Sequence, residues 1–191
     1  MWKNIFHKGS SENIDCPHSS NASSSQCPGL WLGPDDNSIY VFLNTFTNDN
    51  VNTDSDSKDT TSNTDSNNTN INTDNKDKSS SCDYDHSTFN DNKNNIVESA
   101  MVENIPVNTW VCVIVAVRQH TLDIYINGIL KKRKLLKYLP KQNNGPFHIN
   151  ALGGFAGYIS NLKYYNYYIS EGELFKYVST GPSSLPPKDI I

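Results

Sequence analysis

Residues 153–173, GGFAGYISNLKYYNYYISEGE, constrain the fold more than any other stretch of the chain. Gly153, Gly154 and Gly157 free the backbone where φ must be positive or a side chain would clash. Residues 158–165 are then aromatic and branched, the composition of a packed strand. Ile159 and Leu162 stand three apart, which breaks strict alternation and predicts a bulge near Ser160 and Asn161. Ser170 and Glu173 hold the Ser-x-x-Glu relation of a capping box, with Ile169 and Leu174 placed for a hydrophobic staple. A glycine turn, a strand and a capped helical turn in that order exceed what a generic β-hairpin requires.

The chain has 191 residues, enough for one domain of ordinary size. Its foldable part is shorter. Residues 47–95 are almost purely Asn, Asp, Ser, Thr and Lys. Ordering costs roughly 1–2 kcal/mol per residue, and this tract has too little apolar surface to offset it. It reads as a disordered insertion. Strand character stops before it and resumes after it, so the insertion is a long loop within one domain. Closure entropy grows only logarithmically with loop length, which makes such a loop tolerable. The expected organisation is therefore 1–46 and 96–182 as two parts of one unit, 47–95 as the insertion, and 183–191 as a tail.

The strands are read from local pattern. Residues 2–9, WKNIFHKG, form a short strand that ends in a glycine turn. Residues 10–28 are serine-rich with Pro17 and Pro28, which is loop chemistry. Residues 30–32 and 39–46 are two strands joined by the turn sequence GPDDNS. The second of them, IYVFLNTF, is apolar on both faces and belongs inside a sheet. Residues 96–107 return to strand character. Residues 110–117, WVCVIVAV, are apolar on both faces and predict a central strand. In residues 122–126 Leu122, Ile124 and Ile126 face inward and Asp123 and Tyr125 outward. Asn127-Gly128 then gives the strongest short hairpin signal, because both positions favour φ > 0. Residues 129–136 are the return strand with its charges outward, and residues 147–152 are one more strand. Many short strands with almost no helix indicate an antiparallel all-β sandwich.

Charge and cysteine content exclude several classes. The net charge is −4, and a phosphate-binding groove needs clustered Lys and Arg. The one basic run, KKRKLLK at 131–137, reads as a solvated hairpin end. Nucleic acid is therefore not an expected partner. No apolar run reaches the roughly 20 residues that span a membrane, and the N-terminus shows no signal-peptide h-region. Cys16, Cys27, Cys82 and Cys112 lack the spacing of a zinc site. Cys16 and Cys27 flank a serine-rich loop and are the candidate pair under oxidation. Cys112 reads as a small core residue.

Taken together, three motifs resemble the laminin G-like, concanavalin A-like lectin/glucanase family. They are W-x-x-V-x-V at 110–115, the L-x-I-Y-I-N-G hairpin at 122–128, and the glycine turn, strand and cap at 153–173. WKNIFHKG and GLWLGPDDNSIYVFLNTF look like its W-x-x-I-x-x-K-G strand and following hairpin. The version found in large DNA viruses is the nearest in flavour, and an asparagine-rich insertion suits an AT-rich coding source. The resemblance implies an antiparallel jelly-roll sandwich with a short C-terminal helical turn. It implies further strands before Trp2, one of which commonly pairs with residues 158–165. Their absence from the sequence would leave that strand to take a partner from another chain or to self-associate. It also implies a non-enzymatic module that binds carbohydrate or a protein surface, with a virion or the host cytoplasm as its setting. A structural copy acting only within an assembly is the alternative, and a glycoside hydrolase ranks last.

Catalysis, metal binding and ligand contact each demand a particular set of side chains. Glycosidases of this fold place paired carboxylates on one strand. Asp123 is the only acid in the apolar strands between 110 and 126, and one carboxylate cannot serve as both acid and nucleophile. His7, His18, His86, His120 and His148 sit in turns or at strand ends without a nucleophile elbow. Asp35, Asp36 and Asn37 form an oxygen-rich turn that resembles the rim ligands of Ca²⁺-binding laminin G-like domains, but without dedicated loop spacing. No cofactor is expected, with Ca²⁺ the one ion the turn admits. Trp31 beside that turn is a candidate to stack on a sugar ring or to pack in the sandwich. Tyr165 and Tyr167, from the group Tyr164, Tyr165, Tyr167 and Tyr168, are candidates for an exposed aromatic contact surface. The sequence-level binding set is thus Trp31, Asp35, Asp36, Asn37, Tyr165 and Tyr167, with no catalytic and no metal residue.

Overall fold

The computed structural model describes residues 1–9, 14, 16–18, 26–46 and 96–184. The insertion predicted at 47–95 and the end of the tail lie outside the described residues. Among the described residues, two antiparallel sheets and one helix make up the fold. The larger sheet has the order β4-β3-β2-β1-β8, and the smaller has the order β5-β6-β7. The strands are β1 (Lys3–Gly9), β2 (Gln26–Leu32), β3 (Ile39–Thr45), β4 (Ile96–Val102), β5 (Val113–Arg118), β6 (Thr121–Ile126), β7 (Ile129–Leu135) and β8 (Phe147–Ile149). The helix is α1 (Glu171–Thr180).

The core follows from the pleat. On β3, Ile39, Val41 and Leu43 point between the sheets and meet Leu30, Ala100, Val102, Leu122, Ile124 and Ile126. Burying each large aliphatic side chain is worth about 1.5–3 kcal/mol. The alternate residues Tyr40 and Phe42 point to the other face of the same sheet, with Trp2, Ile14, Trp31 and Val97. Trp2 meets the rings of Tyr40 and Phe42 edge-on, with centroids 4.8 and 5.7 Å away, the favoured geometry for aromatic quadrupoles. A strand buried on both faces needs partners on both edges, and β3 has them in β2 and β4. This is the interior position its composition predicted.

The sheets are joined at one edge by a charge pair. Glu98 lies on the inner face of β4. Its carboxylate stands 3.5 Å from the Lys134 ammonium of β7 and accepts the amides of Lys137 and Tyr138 at 2.9 and 3.1 Å. Lys134 also donates to the Ser99 carbonyl. The basic run is therefore not uniformly outward and solvated.

Three further expectations need correction. Residues 110–117 do not form a central strand: β5 begins at Val113, pairs only with β6, and leaves Trp110 half exposed. β5 is the outer strand of its sheet, and its apolar residues are half-buried. Residues 158–165 form no strand and so no β-bulge, although Asn161 takes a positive φ of 53°. A strand exists only where a neighbouring row of backbone groups accepts it. Here the segment is instead held to the chain end, by Asn161 Nδ2 donating to the Gly181 carbonyl and the Ser183 amide donating to Ser160 Oγ. The Cys16–Cys27 pair is not formed, since Cys16 is disulfide-bonded while Cys27 is a free thiol.

The helix forms where its cap predicts. The amide and hydroxyl of Ser170 both donate to the Glu173 carboxylate, at 3.1 and 3.0 Å. Glu171 and Glu173 in the first turn suit the positive end of the helix dipole. Leu174 is the buried residue of α1, and Gly181 with φ 68° ends it.

Candidate functional site

The predicted site residues separate into three situations. Trp31 is buried, with 1% of its surface exposed. Its indole N–H donates to Gln26 Oε1 at 2.9 Å, and its ring lies nearly parallel to His7. It sits on an interior strand whose faces are both covered, so it is a core residue and not a sugar platform. Asp35, Asp36 and Asn37 are exposed on the turn between β2 and β3, which the Gly33 amide closes onto the Ser38 carbonyl. Asn37 exchanges hydrogen bonds with the backbone of Ile105, and the Tyr40 hydroxyl reaches Asp36 at 3.4 Å. The turn is therefore held by its own polar groups. Tyr165 and Tyr167 belong to a different network, at α1.

The aromatic surface at α1 is built from the segment after the glycine turn. Tyr165 and Tyr167 meet edge-on at 5.7 Å, and Tyr165 packs against Tyr177 of α1 at 5.6 Å. The Lys163 ammonium stands over the Tyr177 ring at 4.8 Å. A hydrogen bond with Tyr165 is the main reason the Tyr177 hydroxyl is raised above its ordinary value. Tyr167 remains 62% exposed and Tyr158 76% exposed. Tyr164 packs on Phe147 of β8 at 5.1 Å with Lys8 nearby, and Arg118 of β5 lies over Tyr168. Tyr177 and Lys163 were missed at the sequence level. The available signal was the helical spacing of Leu174, Tyr177 and Val178, which puts Tyr177 beside the buried stripe.

Beneath α1 lies the outer face of the smaller sheet. Asp123 and Tyr125 point outward there, as alternation required, yet both are buried. The register sets Arg133 directly opposite Asp123, and the guanidinium donates two hydrogen bonds to the carboxylate at 2.7 and 2.8 Å. The Asn127-Gly128 turn has φ of 51° and 81°. It lies beside α1, where a Cβ on Gly128 would make ordinary van der Waals contact with the Val178 methyls at 3.4 Å. A groove of about 320 Å³ remains between turn and helix, lined by Tyr125, Gly128, Leu130, Glu171, Leu174 and Phe175. Among the described residues no group of three or more His, Cys, Asp or Glu is placed to hold a metal ion. No described helix is long and apolar enough to cross a membrane.

A laminin G-type family model, described as the concanavalin A-like lectin/glucanases superfamily, matches residues 8–175. The chain belongs to this superfamily. Two antiparallel sheets with one short helix are the architecture expected of a member. No curated protein and no solved structure matches the chain. Superfamily membership carries the sandwich, while function has to be argued from the sites the sandwich displays.

Proposed function

We propose that this superfamily member is a non-enzymatic, lectin-like binding module that takes carbohydrate on the tyrosine surface beside α1. The observation that carries the reading is the cluster of Tyr165, Tyr167 and Tyr177, with Tyr167 largely exposed beside the Lys163 ammonium. A phenol ring offers an apolar face to the C–H face of a sugar and a hydroxyl to its oxygens. A non-enzymatic role is supported by the use of the two buried carboxylates. Asp123 is bound by Arg133, and Glu98 by Lys134 and two backbone amides. The asparagine-rich composition supports a viral or virion-associated setting. A glycan array tests the proposal: binding to a defined glycan class is expected, with loss of signal in Tyr167→Ala. No signal for any glycan at high protein concentration would remove the lectin reading.

One observation favours a second reading, that of a structural module within an assembly. Among the described residues, 158–165 pair with no strand, and Tyr158, Ile159, Leu162 and Tyr164 are exposed. An unpaired apolar segment of this kind invites strand addition from another chain or self-association. Light scattering after size exclusion decides it. A mass that rises with concentration supports the assembly reading, and a constant monomer mass removes self-association.

A further inference from the structure

We propose that the groove between the Asn127-Gly128 turn and α1 binds a small organic ammonium ion with an apolar body. This site is separate from the tyrosine surface and does not depend on it. The first observation is Tyr125. It is only 6% exposed, it lines the groove, and its hydroxyl is buried with no hydrogen-bond partner among the described residues. A buried hydroxyl left unpaired is costly, so a ligand that supplies a partner gains from pairing it. The second observation is the charge at the rim. Asp123 is neutralised by Arg133, and Glu173 is committed to Ser170. Glu171 lines the groove and has no hydrogen bond or ion pair among the described residues. Apart from the helix dipole, no described group pairs its negative charge, which borders a largely apolar space.

The lining selects the class of ligand. Leu130, Leu174, Phe175 and the Gly128 backbone give apolar walls. Sugars need several well-placed polar partners, and the side chains here supply one phenol and one carboxylate. An anion would be repelled by Glu171. A hard metal ion takes six or more oxygen ligands or keeps a water shell, and one carboxylate does not hold it. An ammonium ion matches the whole set. It donates to the Glu171 carboxylate and to the Tyr125 oxygen, its apolar body rests on the leucines, and the Tyr125 and Phe175 faces attract its charge. Burial, with Asp123, Tyr168 and Glu171 adding to it and Arg133 opposing, raises the Tyr125 phenol above its ordinary value.

The test uses the full chain and two isosteric probes, 2-phenylethylammonium and 2-phenylethanol, titrated by NMR or calorimetry. The ammonium is expected to saturate the site and to bind about tenfold more tightly than the alcohol, the usual gain of a charge-assisted hydrogen bond. Glu171→Gln, an isosteric change at an exposed helix position, is expected to bring the ammonium down to the alcohol's affinity while the melting temperature falls by no more than about 2–4 °C, the share of the helix dipole. Tyr125→Phe is expected to weaken the ammonium several-fold. Equal affinity for the two probes, no change with Glu171→Gln, or the absence of saturable binding overturns the proposal. Tyr167→Ala should leave ammonium affinity intact, so failure of the lectin reading and failure of this one are distinguishable.

Discussion

His7 on β1 and His148 on β8 are direct cross-strand partners, and their rings stack with centroids 4.7 Å apart and planes 22° from parallel. The stack, together with Asn4, fastens the three-residue edge strand β8 to a strand far away in sequence. Asn4 Nδ2 donates to His7 Nδ1 at 3.2 Å, and Asn4 Oδ1 accepts the Ala151 amide at the same distance. Both Asn4 and His7 are buried. His7→Ala would leave a cavity under Trp31 and is expected to cost about 2–4 kcal/mol. Asn4→Ala would orphan the Ala151 amide and cost about 1–3 kcal/mol. Urea unfolding measures both losses. Hydrogen exchange in Asn4→Ala should quicken first at residues 147–151, and uniform quickening would show that Asn4 does not specifically hold β8.

Glu98 is the second fastening, between the sheets. Its carboxylate serves Lys134 and two amides at once. Glu98→Ala leaves all three groups short of a partner near the core edge, and a loss of about 2–4 kcal/mol is expected. Glu98→Gln keeps one acceptor oxygen and should cost less than half as much. Thermal or urea denaturation of the two variants checks the order. Equal losses would mean that charge, rather than the two amide contacts, dominates at this site.

The two-faced burial of β3, the inward set Leu122, Ile124 and Ile126, the Asn127-Gly128 turn and the Ser170–Glu173 cap were all legible, because each depends on residues a few positions apart. The failures share a different cause. Residues 158–165 have strand composition, but pairing depends on which edge lies beside them, and composition does not encode that. Trp31 admitted either stacking or packing beside a polar turn, and nothing local shows that its face of the sheet is covered by Trp2, Ile14 and Phe42. The groove was invisible for the same reason. Tyr125 and Glu171 read as an outward strand residue and a first-turn helix acid, and only the docking of α1 on the smaller sheet brings them together.

Cys27 carries a redox-relevant expectation. Burial pushes its thiol up to about 11, although Lys8 acts in the opposite direction. The thiolate is the reactive form, so at pH 8 alkylation of native Cys27 should run about 100-fold slower than that of an unperturbed thiol. Its rate should rise about tenfold per pH unit up to about pH 10. Peptide-resolved iodoacetamide labelling measures this. Fast labelling of Cys27 in the native chain at pH 8 would show that β2 opens locally, since the half-buried thiol is held in its unreactive form.

Acid sensitivity should come in part from His18, which packs near Trp2 with ring centroids 6.1 Å apart. Burial holds its imidazole below the ordinary value of 6.5. Between the folded value and 6.5 the unfolded chain therefore binds more protons than the folded chain, and stability rises with pH across that window. The contribution of the neutral ring is complete above about pH 6.5 and is lost as pH falls towards the folded value. His18→Gln removes the titration and should flatten the slope of stability against pH below about 6.5. Tryptophan fluorescence during urea unfolding at stepped pH reports it directly, since Trp2 lies beside the ring. An unchanged slope in His18→Gln would assign the acid sensitivity to other groups.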